Sequence, residues 1–169
     1  LHWTDRPYRW HVNDGQEVFV VLDGRVEMRH RHEGTEHVTI LGLAEALAAA
    51  TDSSRPFPSN DRERLRALLI SHARKEELGL YPLLIAQSED EPGAYDHLEE
   101  EHRDVIQAID SDRFDHLALY ALQRHIEEED EGLFTRSTFY FDGDTWDAMD
   151  AAHRLVESGS GSNGGAAQP

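Results

Sequence analysis

The sequence predicts a mainly α protein: a four-helix up-down bundle preceded by a small antiparallel β segment. Three observations lead there. From Asp61 onward apolar residues recur at helical spacing, a His/Glu motif appears twice along that stretch, and before Leu41 the pattern alternates as strands do. A chain of 169 residues with 38% hydrophobic content can bury one core and carry an appendage.

The elements follow in order. Glu17-Val18-Phe19-Val20-Val21-Leu22 and Arg25-Val26-Glu27-Met28-Arg29-His30 flank Asp23-Gly24. That dipeptide is a hairpin signal, because both turn positions need positive φ. Glu33-Gly34 reads as a second turn and Thr35–Leu41 as another strand, with Val38 and Ile40 facing inward. Leu43–Ala50 is a short helix candidate, and Thr51–Asn60, with Pro56 and Pro58, a loop. Leu65, Leu68, Leu69 and His72 share one helical face, and this helix is expected to reach Ser88 with a kink at Pro82. Pro92 is placed to open a second helix to Ile109, Asp112 to cap a third over 113–138, and a fourth covers 144–157. The Gly/Ser-rich end has nothing to bury. The expected organisation is therefore a β segment over 1–42, a short helix and linker over 43–60, the bundle over 61–157 and a flexible tail over 158–169.

Composition removes several classes of function. With 34 acidic and 16 basic side chains the formal net charge is -18, which repels nucleic-acid phosphates and anionic membrane surfaces. No apolar run approaches the roughly 20 residues of a membrane span, no secretory signal pattern is present, and a cytoplasmic location is expected. The absence of cysteine excludes disulfides, thiolate nucleophiles, zinc-thiolate sites and iron–sulfur clusters. Eleven histidines are the unusual feature, so any metal chemistry is built from imidazole and carboxylate.

The internal repeat carries that chemistry. His-x-x-x-Glu alone is weak evidence, since it occurs five times, at His32, His72, His97, His125 and His153. Two occurrences share much more. In His72…Glu76-Glu77-Leu78-Gly79-Leu80-Tyr81 and His125…Glu129-Asp130-Glu131-Gly132-Leu133-Phe134 the histidine, the glutamate, the glycine and the second leucine are identical. A second pair, His102-Arg103-Asp104-Val105 and His153-Arg154-Leu155-Val156, follows each copy. Residues i and i+4 lie one turn apart on one helical face, so each His/Glu pair can aim at a common point in the bundle. His72, Glu76, His102, His125, Glu129 and His153 thus form a candidate metal set of four imidazoles and two carboxylates. Such ligands suit two non-haem iron ions, each glutamate bridging and each histidine terminal, with manganese or zinc as alternatives. Two unpaired carboxylates in an apolar core would cost several kcal/mol each, so metal and folding should be coupled. Tyr81, Phe134 and Tyr95 read as core rather than as radical carriers, Glu77 and Asp130 as outer or surface acids, Glu99–Glu101 and Glu127–Glu131 as acid runs whose outward members are solvated, His97 as surface and His116 as structural. His30, His32 and His37 read as the wet face of the β segment.

This region resembles the hemerythrin-like family, the His-His-Glu cation-binding domains, over about residues 61–157. His72 to Pro82 is similar to the family's second-helix motif, Glu101-His102 to its third-helix Glu-His pair, and His125 to Phe134 to its fourth-helix motif. The resemblance implies a four-helix bundle with a di-iron centre that binds dioxygen, nitric oxide or peroxide, senses oxygen or iron, or handles iron. No histidine lies between His37 and His72 to serve the family's first helix, so His153 is expected to complete the set in a circularly permuted order. Residues 5–41 resemble a cupin. Tyr8 to Glu17 with Gly24 is similar to the first cupin motif, with Asn13 in place of its second histidine. The second motif is absent, so no cupin metal site is expected, and the unpaired strand edges suggest a homodimer through this segment. The functional expectation is a protein that binds or senses dioxygen or nitric oxide. A di-iron oxidase or peroxidase, and an iron or zinc store or sensor without gas chemistry, stand as alternatives.

Overall fold

The computed structural model describes residues 33–88 and 90–160. Helix α1 spans Glu33–Asp52. Helix α2, Ser59–Lys75, continues through a π-helical segment, Glu76–Leu80, into α3, Tyr81–Gln87. Helix α4 spans Asp96–Asp110. Helix α5, His116–Glu128, likewise continues through a π segment, Glu129–Leu133, into α6, Phe134–Tyr140. Helix α7 spans Gly143–Ser160. Helices α1 and α4 each pack on both α2 and α5, which makes a four-helix bundle with α1 and α4 on one diagonal. Helix α7 lies outside the square, against α2 and the first π segment.

The bundle's fourth member is therefore α1 and not the helix after Gly143. The expected strand Thr35–Leu41 is helical, and the expected short helix 43–50 is the second half of α1. The strand reading followed the β-branched run Val38-Thr39-Ile40, but burial follows the helical period. Ile40, Ala44, Leu47 and Ala48 are buried, whereas Val38 is 72% exposed. Two residues apart on a helix is about 200° of rotation, so Val38 and Ile40 cannot share a face. The Asp23-Gly24 hairpin and the cupin-like motif lie outside the described residues.

Helix ends also differ in detail. A turn with Gly93 at φ +90 precedes α4, so Pro92 lies outside the helix it was expected to open. Asp115 caps α5 instead of Asp112, its carboxylate accepting from the backbone N–H of Leu117 (2.9 Å) and Ala118 (3.1 Å). Asp112 takes a left-handed φ of 56 in the preceding turn. Pro82 is the second residue of α3, so the break that a proline forces in an α ladder falls where the π segment has already altered the hydrogen bonding.

Two apolar clusters hold the bundle. One joins Ile40, Leu47, Leu65, Leu69, Val105, Ile109, Phe114, Leu122 and Ile126. The other joins Leu80, Tyr81, Leu84, Tyr95, Leu98, Leu133, Phe134, Phe141 and Met149. Along each long helix the histidines and glutamates fall between the two: His72 and Glu76 between Leu69 and Leu80, His102 between Leu98 and Val105, Glu129 between Ile126 and Leu133. A polar layer is thereby set between two dry ones, out of reach of bulk water.

Candidate metal centre

Four helices deliver six side chains to this layer. His37 comes from α1, His72 from α2 with Glu76 at the start of its π segment, His102 from α4, and His125 from α5 with Glu129 at the start of its π segment. All six are buried, Glu129 completely. Ligand atoms of His72, Glu76, His102, His125 and Glu129 all lie within 4.8 Å of one another.

Glu129 is the hub. Its Oε2 lies 3.4 Å from both His37 Nε2 and His72 Nε2, and its Oε1 lies 2.6 Å from His125 Nε2 and 3.6 Å from His102 Nε2. Glu76 Oε2 lies 3.2 Å from His102 Nε2 and 3.5 Å from His72 Nε2, and accepts a hydrogen bond of 3.0 Å from the Tyr81 hydroxyl. These approaches are close but poorly aligned. The Nε2 atoms of all four histidines, Glu76 Oε1 and both Glu129 oxygens are buried without a hydrogen bond. So many inward-facing donor atoms left unsatisfied is costly, and buried polar groups are rarely left so.

Three of the outward nitrogens have carboxylate partners. His37 Nδ1 donates to Asp130 (3.1 Å), His102 Nδ1 to Glu77 (3.2 Å) and His125 Nδ1 to Glu101 (2.8 Å). A carboxylate on Nδ1–H fixes the tautomer, orients the ring and leaves the Nε2 lone pair facing the centre, as ligating histidines require. Glu77 and Asp130 are thus the outer acids the repeat suggested. Glu101, read from the sequence as part of a solvated acid run, supplies a third.

Without a cation, only protons can balance the two carboxylates of this layer. Burial raises the Glu76 carboxyl, and neighbouring Glu129 raises it further. Burial pushes Glu129 the same way, but His72, His102 and His125 outweigh it and hold Glu129 well below the usual range. His102 is pushed up to about 10: burial opposes its charge, and contacts to Glu129 and Glu76 more than reverse that. Two carboxylates in one dry cavity must borrow protons or share positive charge. A donor set of imidazole nitrogen and carboxylate oxygen with no thiolate fits iron.

His153 does not join the group. It is buried on α7 against Gly79, where a Cβ built on the glycine would come 3.5 Å from its Nε2. Helix α7 packs on the first π segment, and the fourth imidazole within reach of Glu129 is that of His37 on α1. His37 was missed because it was set on a strand. Its signal is the series His37, Ile40, Ala44, Leu47, which is helical in period. His97 is exposed and paired with Glu128 at 3.1 Å, as a surface residue should be. His116, expected to be structural, is 69% exposed, with Nδ1 3.4 Å from Asp52.

Fold and site together define a helical bundle that buries a histidine–carboxylate cation site. The hemerythrin HHE cation binding domain model matches residues 31–137, and the chain belongs to that family. The match begins before His37 and ends before α7, so it runs in direct order, and the permuted arrangement through His153 is not supported. It also takes in residues 31–41 of the cupin-like segment, for which nothing further speaks. No curated protein and no solved structure matches the chain. No helix among the described residues is long and apolar enough to cross a membrane.

Proposed function

We propose that this protein holds two non-haem iron ions between His37, His72, Glu76, His102, His125 and Glu129, and that it binds or senses dioxygen or nitric oxide there. The observation that carries this reading is the turning of four Nε2 atoms and two carboxylates onto one buried point, with three of the imidazoles oriented from behind by Asp130, Glu77 and Glu101. Glu129, within reach of all four histidines, and Glu76, facing it, would supply the carboxylate oxygens that hold the ions.

An iron pair, when bound, supplies reversible redox change and coordination positions for a diatomic ligand. The chain's own part is to hold the donors fixed, exclude water with the two apolar clusters, and keep one hydroxyl, that of Tyr81, on Glu76. Burial raises the Tyr81 phenol far above its ordinary range, so this hydroxyl remains a donor. The location we infer is cytoplasmic, and the acidic surface keeps nucleic acid away.

Protein loaded anaerobically with ferrous iron and titrated with dioxygen, nitric oxide and azide tests the proposal. A near-ultraviolet absorption that appears with dioxygen and shifts with azide is expected. Steady turnover of peroxide with a reducing donor would favour an enzyme. Colourless protein that retains zinc after growth in iron would favour a store or sensor.

A further inference from the structure

The two copies of the repeat differ at one chemically important place. Tyr81 in the first copy corresponds to Phe134 in the second. Both rings are buried, but only Tyr81 carries a hydroxyl, and it is bonded to Glu76. The Tyr81 ring lies nearly parallel to that of His102, 6° between planes and 6.4 Å between centroids. The Tyr95 ring sits at 5.2 Å and 30° to that of Tyr81. Tyr95 then donates a hydrogen bond of 2.6 Å to Asp90 Oδ2. Arg136 grips both oxygens of Asp90, at 2.9 and 2.7 Å, and also reaches the Tyr95 hydroxyl at 3.1 Å. Asp90 and Arg136 are partly exposed, with side-chain exposures of 22% and 39%. Arg136 lies over Tyr140, an exposed ring 5.8 Å away. One continuous aromatic series therefore runs from a histidine of the centre to a charged patch at the surface.

We propose that His102, Tyr81 and Tyr95 form a one-electron route between the centre and the Asp90–Arg136 surface, with Tyr95 as the residue that is oxidised. The proposal rests on the di-iron reading above. In the step, a peroxide oxidises the iron centre, and Tyr95 gives one electron across the Tyr81 ring to that oxidised centre, which is reduced by one electron. The Tyr95 phenolic proton moves to Asp90 Oδ2, leaving a neutral phenoxyl radical. The Tyr81 proton stays in its bond to Glu76. An electron from an external one-electron reductant, with return of the proton from Asp90, restores the phenol.

The local chemistry suits both directions. Burial and the bond to Asp90 push the Tyr95 phenol up to about 12, so it carries its proton at neutral pH. Arg136, Tyr95 and Ser88 together hold Asp90 at about 2, so it is an ionised acceptor. Phe134, at the matching place of the second copy, faces His37 at 5.9 Å and carries no phenol.

The test uses the full chain loaded with ferrous iron, treated with an excess of hydrogen peroxide over the two electrons that the iron pair gives up, frozen rapidly and read by electron paramagnetic resonance. A tyrosyl signal is expected that narrows when the protein is made with ring-deuterated tyrosine. Tyr95→Phe keeps the ring packing and should lose the signal while still binding the same amount of iron. Asp90→Asn should diminish it, and Tyr140→Phe should leave it in place. Iron that binds and is oxidised with no tyrosyl signal, or a signal unchanged in Tyr95→Phe, would overturn the route alone. Failure to bind iron would overturn the route together with the di-iron reading, and metal analysis distinguishes the two cases.

Discussion

Replacing Glu76 with glutamine separates a metal ligand from a structural carboxylate by the sign of its effect. Glu76 is 1% exposed, its Oε1 has no hydrogen bond, and a second carboxylate faces it across the layer. Glutamine keeps the shape and can still accept from Tyr81, but carries no charge. In chelator-treated protein the substitution should remove the penalty of an unsatisfied buried acid, about 1–3 kcal/mol. For a chain of this size about 1 kcal/mol moves Tm by roughly 2–4 °C, so metal-free Glu76→Gln should melt about 2–12 °C above metal-free wild type. Loaded with free ferrous ion at about one hundred times Kd, wild type should gain about 2.7 kcal/mol, or roughly 5–11 °C. The variant should gain little. Calorimetry or circular dichroism melts of the four samples read this directly. A variant that melts lower in chelator and keeps the full increment with iron would refute the reasoning, because Glu76 would then be a packing residue.

Other substitutions probe the remaining parts. His37→Ala should lose bound iron, whereas His153→Ala should keep its full complement, both read by metal analysis of the purified protein. Glu101→Gln, which weakens the support of His125 without touching the centre, should lower metal affinity by about 10–100-fold in a competition titration with a coloured chelator. Leu47→Ala, at a fully buried position of the cluster that joins Ile40, Leu65 and Phe114, should cost about 2–5 kcal/mol in denaturant unfolding. Asp115→Ala should cost about 1 kcal/mol through loss of the α5 cap in the same assay.

The centre was far more legible than the element that completes it. His72, Glu76, His102, His125 and Glu129 stand in a repeated motif whose spacing follows helix geometry, and the structure brings all five together. Each π segment begins at the motif's glutamate, a feature no periodicity reveals, because π-helical turns arise from local hydrogen bonding and not from hydrophobic pattern. Helix α1 was hidden by two competing signals. Val38, Thr39 and Ile40 are β-branched, and Glu33-Gly34 resembles a turn, yet tertiary burial of Ile40, Ala44 and Leu47 decides for helix. His153 continues the repeat in sequence but sits on a helix that packs outside the bundle, and the permuted order is not supported. Glu101 could have been found by noting that it precedes His102 on α4, which packs beside α5 and so sets Glu101 within reach of His125.

Iron-edge anomalous diffraction from crystals loaded with ferrous iron tests the central claim most directly. Two peaks are expected inside the bundle, each within bonding distance of Nε2 atoms from among His37, His72, His102 and His125, with Glu76 and Glu129 between them. Peaks at the acidic surface or beside His153 alone, with none among these six side chains, would contradict it.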